Sequence, residues 1–170
     1  MGIVPRSHLT SVAGWREWVS LPELGVEWIK AKLDTGARTS ALHAFDIEEF
    51  DRDGRPWVRF SIHPWQRSAK DAVTVELPVH DVRQVRSSSG HVQQRYVVIV
   101  VIRIGLRRVH TEVTLTRRDE MGFRLLIGRE ALKRGFLVDA RHSYVGGRPE
   151  RVVRRRNRGK DDADGHGEGA

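Results

Sequence analysis

The chain has 170 residues, 31% charged and 39% hydrophobic, which fits one polar-surfaced domain around a single core. It contains no cysteine, which excludes disulfides, thiolate zinc sites and cysteine nucleophiles and suits a reducing cytoplasm. The net charge of +8 is uneven: Arg148 to Lys160 holds seven basic residues and one acid, six of the eight charges.

In chain order, residues 1–13 are expected to form a flexible lead-in without the apolar core of a signal peptide. Trp15 to Ser20 alternates and predicts a strand. Pro22 to Gly25 supplies a turn, and Trp28 to Leu33 predicts the strand that delivers Asp34. Asp51-Arg52-Asp53-Gly54-Arg55 is a hairpin-turn signal, followed by the alternating strand Trp57 to Ile62. Val73 to Leu77 predicts another strand, stopped by Pro78. Val79 to Arg86 and His91 to Ile104 predict two arms around Ser87-Ser88-Ser89-Gly90. Arg107 to Thr116 alternates, with Val109, Thr111, Val113 and Leu115 on one face. Arg129 to Arg134 predicts one or two helical turns ended by Gly135. Phe136 to Val138 and Ser143 to Val145 predict short final strands. The longest apolar run, Tyr96 to Ile102, is strand length, so no membrane span is expected. Many short strands and one short helix predict an all-β closed barrel over residues 14–147. Residues 148–170, basic and then acidic, are expected to be a disordered tail.

Two segments carry the chemistry. In Leu33-Asp34-Thr35-Gly36-Ala37 an apolar strand runs into an acid, a hydroxyl and a glycine. Alone this is also an ordinary Asx-type turn. Downstream, Leu125-Leu126-Ile127-Gly128-Arg129-Glu130-Ala131-Leu132 joins a buried apolar run to a glycine and a short helix. Together they resemble the retropepsin-like aspartic proteases, which pair an Asp-Thr/Ser-Gly-Ala loop with an apolar-apolar-Gly segment beneath it. The run from Gly14 to Gly25 and that from Ile29 to Ala44 resemble one bacterial branch of that family. Its members are labelled ATP-dependent zinc proteases and are linked to a ligase that adds glutamates to a ribosomal protein. The resemblance covers roughly Gly14 to Gly147.

The resemblance implies a pepsin-type barrel and a water activated by two carboxylates that share one proton. The chain has a single Asp-Thr-Gly, because Asp71, Asp81 and Asp139 lack that context. The site is therefore expected at a homodimer two-fold axis, each subunit giving one Asp34. Thr35, Gly36, Ala37, Leu126, Ile127 and Gly128 are implied to support the loop. The flap over the cleft is expected at Ser88, Ser89 and Gly90. Where viral relatives carry acids, this chain has Arg38 and Thr39. A cation there favours carboxylates, so acidic peptides are the expected substrates, a glutamate-tailed ribosomal protein among them. The bland alternative pairs Arg38 with Glu130 or Glu48.

No cofactor is expected. A Gly-x-x-x-x-Gly-Lys-Ser/Thr loop and a His-Glu-x-x-His helix are both absent from the sequence. The metal alternative is a zinc site of Asp34, His43 and a distant histidine. Weak non-specific RNA contact through residues 148–160 is a further expectation. The five tryptophans are assigned to core packing or dimer contact. The leading reading is a cytoplasmic homodimeric aspartic peptidase. The others are a zinc peptidase on the same fold and a non-catalytic module that binds acidic tails.

Overall fold

The structure, a computed structural model, describes residues 10–86, 89–117 and 122–160. Its twelve described strands are β1 (Ser11–Gly14), β2 (Arg16–Leu21), β3 (Val26–Asp34), β4 (Ser40–His43), β5 (Phe45–Arg52) and β6 (Arg55–Ile62), then β7 (Val73–Pro78), β8 (Asp81–Arg86), β9 (Val92–Ile104), β10 (Arg107–Thr116), β11 (Leu125–Gly128) and β12 (Phe136–Asp139). Two α-helices, α1 (Arg129–Leu132) and α2 (Arg151–Asn157), and a 3₁₀ turn at Pro22–Leu24 complete the described elements.

Six strands close on themselves in the order β10-β4-β11-β3-β2-β9, with β9 pairing back to β10. Closure removes the free edges that an open sheet would expose. The pattern behind it is alternation. From Ile29 to Asp34, buried and half-buried residues alternate strictly along β3, so Ile29, Ala31 and Leu33 point inward. A register shift between Val19 and Leu21 resets that phase on β2, as a bulge does. Leu42, Val98, Val100, Ile102, Val113, Leu115, Leu125 and Ile127 fill the same interior.

A second sheet, β5-β6-β7, lies against this core through Val58, Phe60 and Ile62, all fully buried. Its first hairpin follows from the sequence. Arg52 pairs with Arg55 across Asp53 and Gly54, both at positive φ (55° and 77°). Two left-handed residues match the twist of a two-residue hairpin. The Asp51 carboxylate accepts the Gly54 N–H at 3.0 Å and holds the turn. β9 is long because it serves two structures. Its first half pairs with β8 as a projecting hairpin, and its second half pairs with β10 in the barrel.

Three expectations are corrected. The lead-in reaches only to residue 10, since Ser11–Gly14 is a strand parallel to β12. Ser143 to Val145 is not a strand; the segment crosses β2, where Glu17 holds it. The tail is ordered as far as Lys160: Arg151–Asn157 is a helix, and Asn157 is 2% exposed. The expected helix after Gly128 is present as α1, and α2 is an α-helix beyond it among the described residues. No helix among the described residues is long and apolar enough to cross a membrane.

Glu17 is the buried group that ties this part together. It is fully enclosed and accepts the backbone N–H groups of Gly14, Val145 and Gly146 at 3.1, 2.8 and 2.7 Å. One carboxylate thus satisfies the buried Gly14 donor and ties the exposed 145–146 segment to it.

Candidate active site

Asp34 is the last residue of β3, and β11 runs parallel beside it with Gly128 opposite Asp34. The chain turns immediately. The Asp34 carboxylate (Oδ1) accepts the N–H of Gly36 at 2.9 Å and that of Ala37 at 3.3 Å. The side chain is therefore aimed by its own loop. A Cβ on Gly36 would stand 3.2 Å from Oδ1, so glycine keeps the carboxylate uncrowded.

β11 and α1 hold the loop from below. Gly128 N–H donates to the buried Ser40 hydroxyl at 3.0 Å. The first N–H groups of α1, from Arg129 and Glu130, donate to the carbonyls of Ala37 and Arg38 at 2.7 and 3.0 Å. The Arg129 guanidinium reaches the Thr35 carbonyl at 3.2 Å. Gly128 is required by contact. A Cβ there would lie 2.5 Å from the Thr39 carbonyl oxygen and 3.0 Å from that of Ala37. Both are backbone atoms and cannot swing away. Gly128→Ala is accordingly expected to cost about 2–4 kcal/mol in chemical denaturation. A change below about 0.5 kcal/mol would show that the loop is not packed this way.

Thr35 and Gly36 are exposed, and Ala37 and Leu126 are half-buried. Ile127 is fully buried in the core. Arg38 and Thr39 line an open cleft of about 730 Å³. Its other walls are Arg83 and Arg95 from the β8–β9 hairpin, Thr111, Glu112 and Thr114 of β10, and Glu130 and Arg134 at α1. Four arginines thus face two glutamates. Arg83 and Arg95 stand directly opposite each other in the hairpin register. Like charges so placed repel unless an anion intervenes. Glu112 partly answers this: it accepts from Arg83 Nη2 at 2.7 Å and lies 3.0 Å from His80 Nε2. The bond to Arg83 holds the Glu112 carboxyl below its ordinary range and keeps Arg83 firmly charged. Among the described residues Arg95 and Arg134 have no carboxylate partner, whereas the bond from Lys133 and, after it, the charge of Arg38 hold the Glu130 carboxyl below its ordinary range. Glu130, one expected partner of Arg38, bonds Lys133 at 2.6 Å, and Glu48, the other, bonds Arg59 at 2.9 Å.

Of the expected flap, Ser89 and Gly90 do not line the cleft, although β8 and β9 pair as a hairpin. Ser89 and Gly90 are exposed beside its tip, and Ser88 lies outside the described residues. Several site residues escaped the sequence reading: Ser40, Arg83, Arg95, Arg129 and Arg134. Only strand pairing reveals that Arg83 faces Arg95, although their separation by a Ser-Gly turn was a usable signal. His43, the candidate metal ligand, sits half-buried at the end of β4. Its ring stacks 6.4 Å from His63, which in turn stacks on Phe45 at 3.9 Å. Burial, then Arg124 and His43, hold His63 below its ordinary value, which favours the neutral ring. Among the described residues no three of His, Asp and Glu gather as a metal site.

A strand-end Asp-Thr-Gly loop packed on an apolar-apolar-Gly strand, within a closed barrel, defines the retropepsin-like aspartic peptidase class. A family model described as "RimB-like: Retropepsin-like aspartic endopeptidase RimB" matches residues 12–149, and the chain belongs to that family. It is 45% identical over 141 residues to a "Probable alpha-L-glutamate ligase" of Shewanella halifaxensis, covering 83% of this chain and 31% of that protein. A protein of the same name in Desulfotalea psychrophila is 41% identical over 128 residues, covering 75% of this chain and 28% of that one. The chain thus spans about three-tenths of the length of these curated relatives. A crystal structure of a Legionella pneumophila protein of unknown function superposes with a TM-score of 0.67 at 28% identity, covering 80% of this chain and 98% of that one.

Proposed function

We propose that this protein is a peptidase whose active site forms between two copies, each supplying Asp34, and that it cleaves acidic, glutamate-rich segments. The observation that carries the reading is the Asp34 carboxylate, fixed at a strand end by two backbone N–H groups and reached from an exposed loop. One carboxylate of the pair takes a proton from water as the water oxygen attacks the peptide carbonyl carbon. The other protonates the carbonyl oxygen; the first then gives its proton to the departing nitrogen while the second takes back one from the gem-diol, so that collapse releases an acid and an amine. A single Asp-Thr-Gly in the chain supports pairing across a two-fold axis.

The arginine-lined cleft supports the substrate class. Arg38, Arg83, Arg95 and Arg134 offer planar donors to carboxylates, and the hairpin carries two of them over the cleft. Relatives named as glutamate ligases agree with a glutamate-rich substrate.

The test is cleavage of a mixed peptide library containing glutamate-rich tails, with and without a strong chelator, alongside sedimentation. Cleavage that survives chelation and rises with dimer concentration is expected. Cleavage abolished by the chelator and restored by zinc would move the chemistry to a metal. Binding of acidic tails without turnover would leave a binding module. Replacing Arg38 and Arg95 together by Gln is expected to lower the acidic-to-neutral ratio of kcat/KM by about tenfold, the loss of one charge-assisted hydrogen bond. An unchanged ratio would remove the arginines from substrate selection.

A further inference from the structure

The basic run after Arg148 forms a helix clamped to the body. The Asn157 side chain accepts the Gln66 N–H at 2.8 Å and donates to Gln66 Oε1 at 2.8 Å, and its carbonyl accepts the Arg67 N–H at 3.1 Å. Gly159 follows at φ 73°, and a Cβ there would lie 2.6 Å from the Arg67 carbonyl oxygen. These contacts fix α2 against residues 66–67 and present Arg151, Arg156, Arg158 and Lys160 to solvent, with exposed Arg67 beside them. Among the described residues none of these four has a carboxylate partner. Glu150 is the one acid between Arg148 and Lys160.

We propose that α2 and Arg67 form a docking surface for the sugar-phosphate backbone of double-stranded RNA, separate from the Asp34 cleft. Six of the seven basic residues from Arg148 to Lys160 are arginines, whose planar forks match phosphate oxygens. The helix carries no aromatic residue, so it offers nothing on which single-stranded bases could stack. α2 has only seven residues and its Asn157 side is held on the body, so it reaches a short way from the surface. A short basic element suits the wide, shallow minor groove of A-form duplexes, which are gripped by shape and backbone. Membrane insertion would need a large apolar face, and the two valines of α2 are half-buried against the protein. Four acids follow between Asp161 and Glu168 and weaken the local field. Binding near 10 µM at physiological salt is therefore the expected order, about that of non-specific contact.

The experiment titrates the full chain into a labelled RNA duplex by fluorescence anisotropy over a series of salt concentrations. Parallel arms use the same sequence as DNA, anionic phospholipid vesicles and a glutamate-rich peptide. Replacing Arg151, Arg156 and Arg158 by Gln should weaken RNA binding by at least about tenfold and lower the salt slope by roughly 2–3. The control replaces Arg55, Arg103 and Arg108, which sit on β6, β9 and β10, and should leave affinity within about twofold. Thermal melting confirms that both variants are folded. Equal loss in the two variants would overturn the proposal, as would an unchanged slope or DNA or vesicle binding as tight as RNA binding. Loss of glutamate-peptide cleavage in the helix variant would also overturn the separation of this surface from the cleft.

Discussion

Asp34→Asn is expected to abolish peptide cleavage while leaving the fold intact. The substitution is isosteric, and its amide oxygen can still accept the Gly36 and Ala37 N–H groups that now meet Oδ1. What disappears is the ability to take a proton from water. Losing a group that acts in the transition state lowers kcat by about 10³-fold or more, with little effect on KM. Because the proposed site needs one Asp34 from each copy, mixing gives a sharper readout. Equal, freely exchanging amounts of wild type and variant leave only about a quarter of dimers with two aspartates. Activity should fall to that fraction of an all-wild-type sample at equal total protein. A fall only to half would mean that each chain works alone. Retained cleavage in the pure variant would end the aspartic-peptidase reading altogether.

Glu17→Ala carries the largest expected stability loss. The carboxylate is fully buried and satisfies three backbone N–H groups, two of them more than 120 residues away in sequence. Removing it strands the buried Gly14 donor, at about 1–3 kcal/mol, and takes a charge-assisted hydrogen bond from each of Val145 and Gly146, which are exposed. Partial rearrangement brings the expected total to about 3–5 kcal/mol, a large share of the 5–15 typical of a domain. Glu17→Gln should cost less, because its oxygen still accepts while its amide group faces donors. Urea unfolding of both variants checks this. A Glu17→Ala loss under about 1 kcal/mol would mean that the 143–147 segment does not depend on the carboxylate. Catalysis should be less affected than stability, since Glu17 makes no bond to Asp34 or to its loop.

The readable parts of this protein are those whose physics is local. The Asp53-Gly54 turn is one, because two left-handed residues and a capping aspartate lie within four positions. β10 is another, recovered at its full length because Val109, Thr111, Val113 and Leu115 alternate along a single strand. The Asp34 loop was legible for the same reason: its acid, glycine and following alanine bond to one another. The Leu126-Ile127-Gly128 segment was legible through its apolar-to-glycine step, and the fold places it beside Asp34.

The basic tail shows where local reading ends. A run of arginines without apolar periodicity reads as solvated chain, yet Asn157 finds Gln66 across 91 positions and the run becomes a helix. Nothing near Asn157 in sequence announces that partner. The arginine pair of the hairpin is similar: Arg83 and Arg95 are ordinary surface cations until strand register sets them face to face beside Arg38. Sequence was enough for the strand pattern, the barrel class and the Asp34 loop with its glycine-bearing support, because alternation, turn chemistry and short-range hydrogen bonds are written within a few residues. Tertiary structure alone decided the buried Glu17 anchor, the Ser40–Gly128 bond, the helix α2 and the charge of the cleft. Each of these depends on which distant segments meet, and that is settled by packing and pairing over the whole chain.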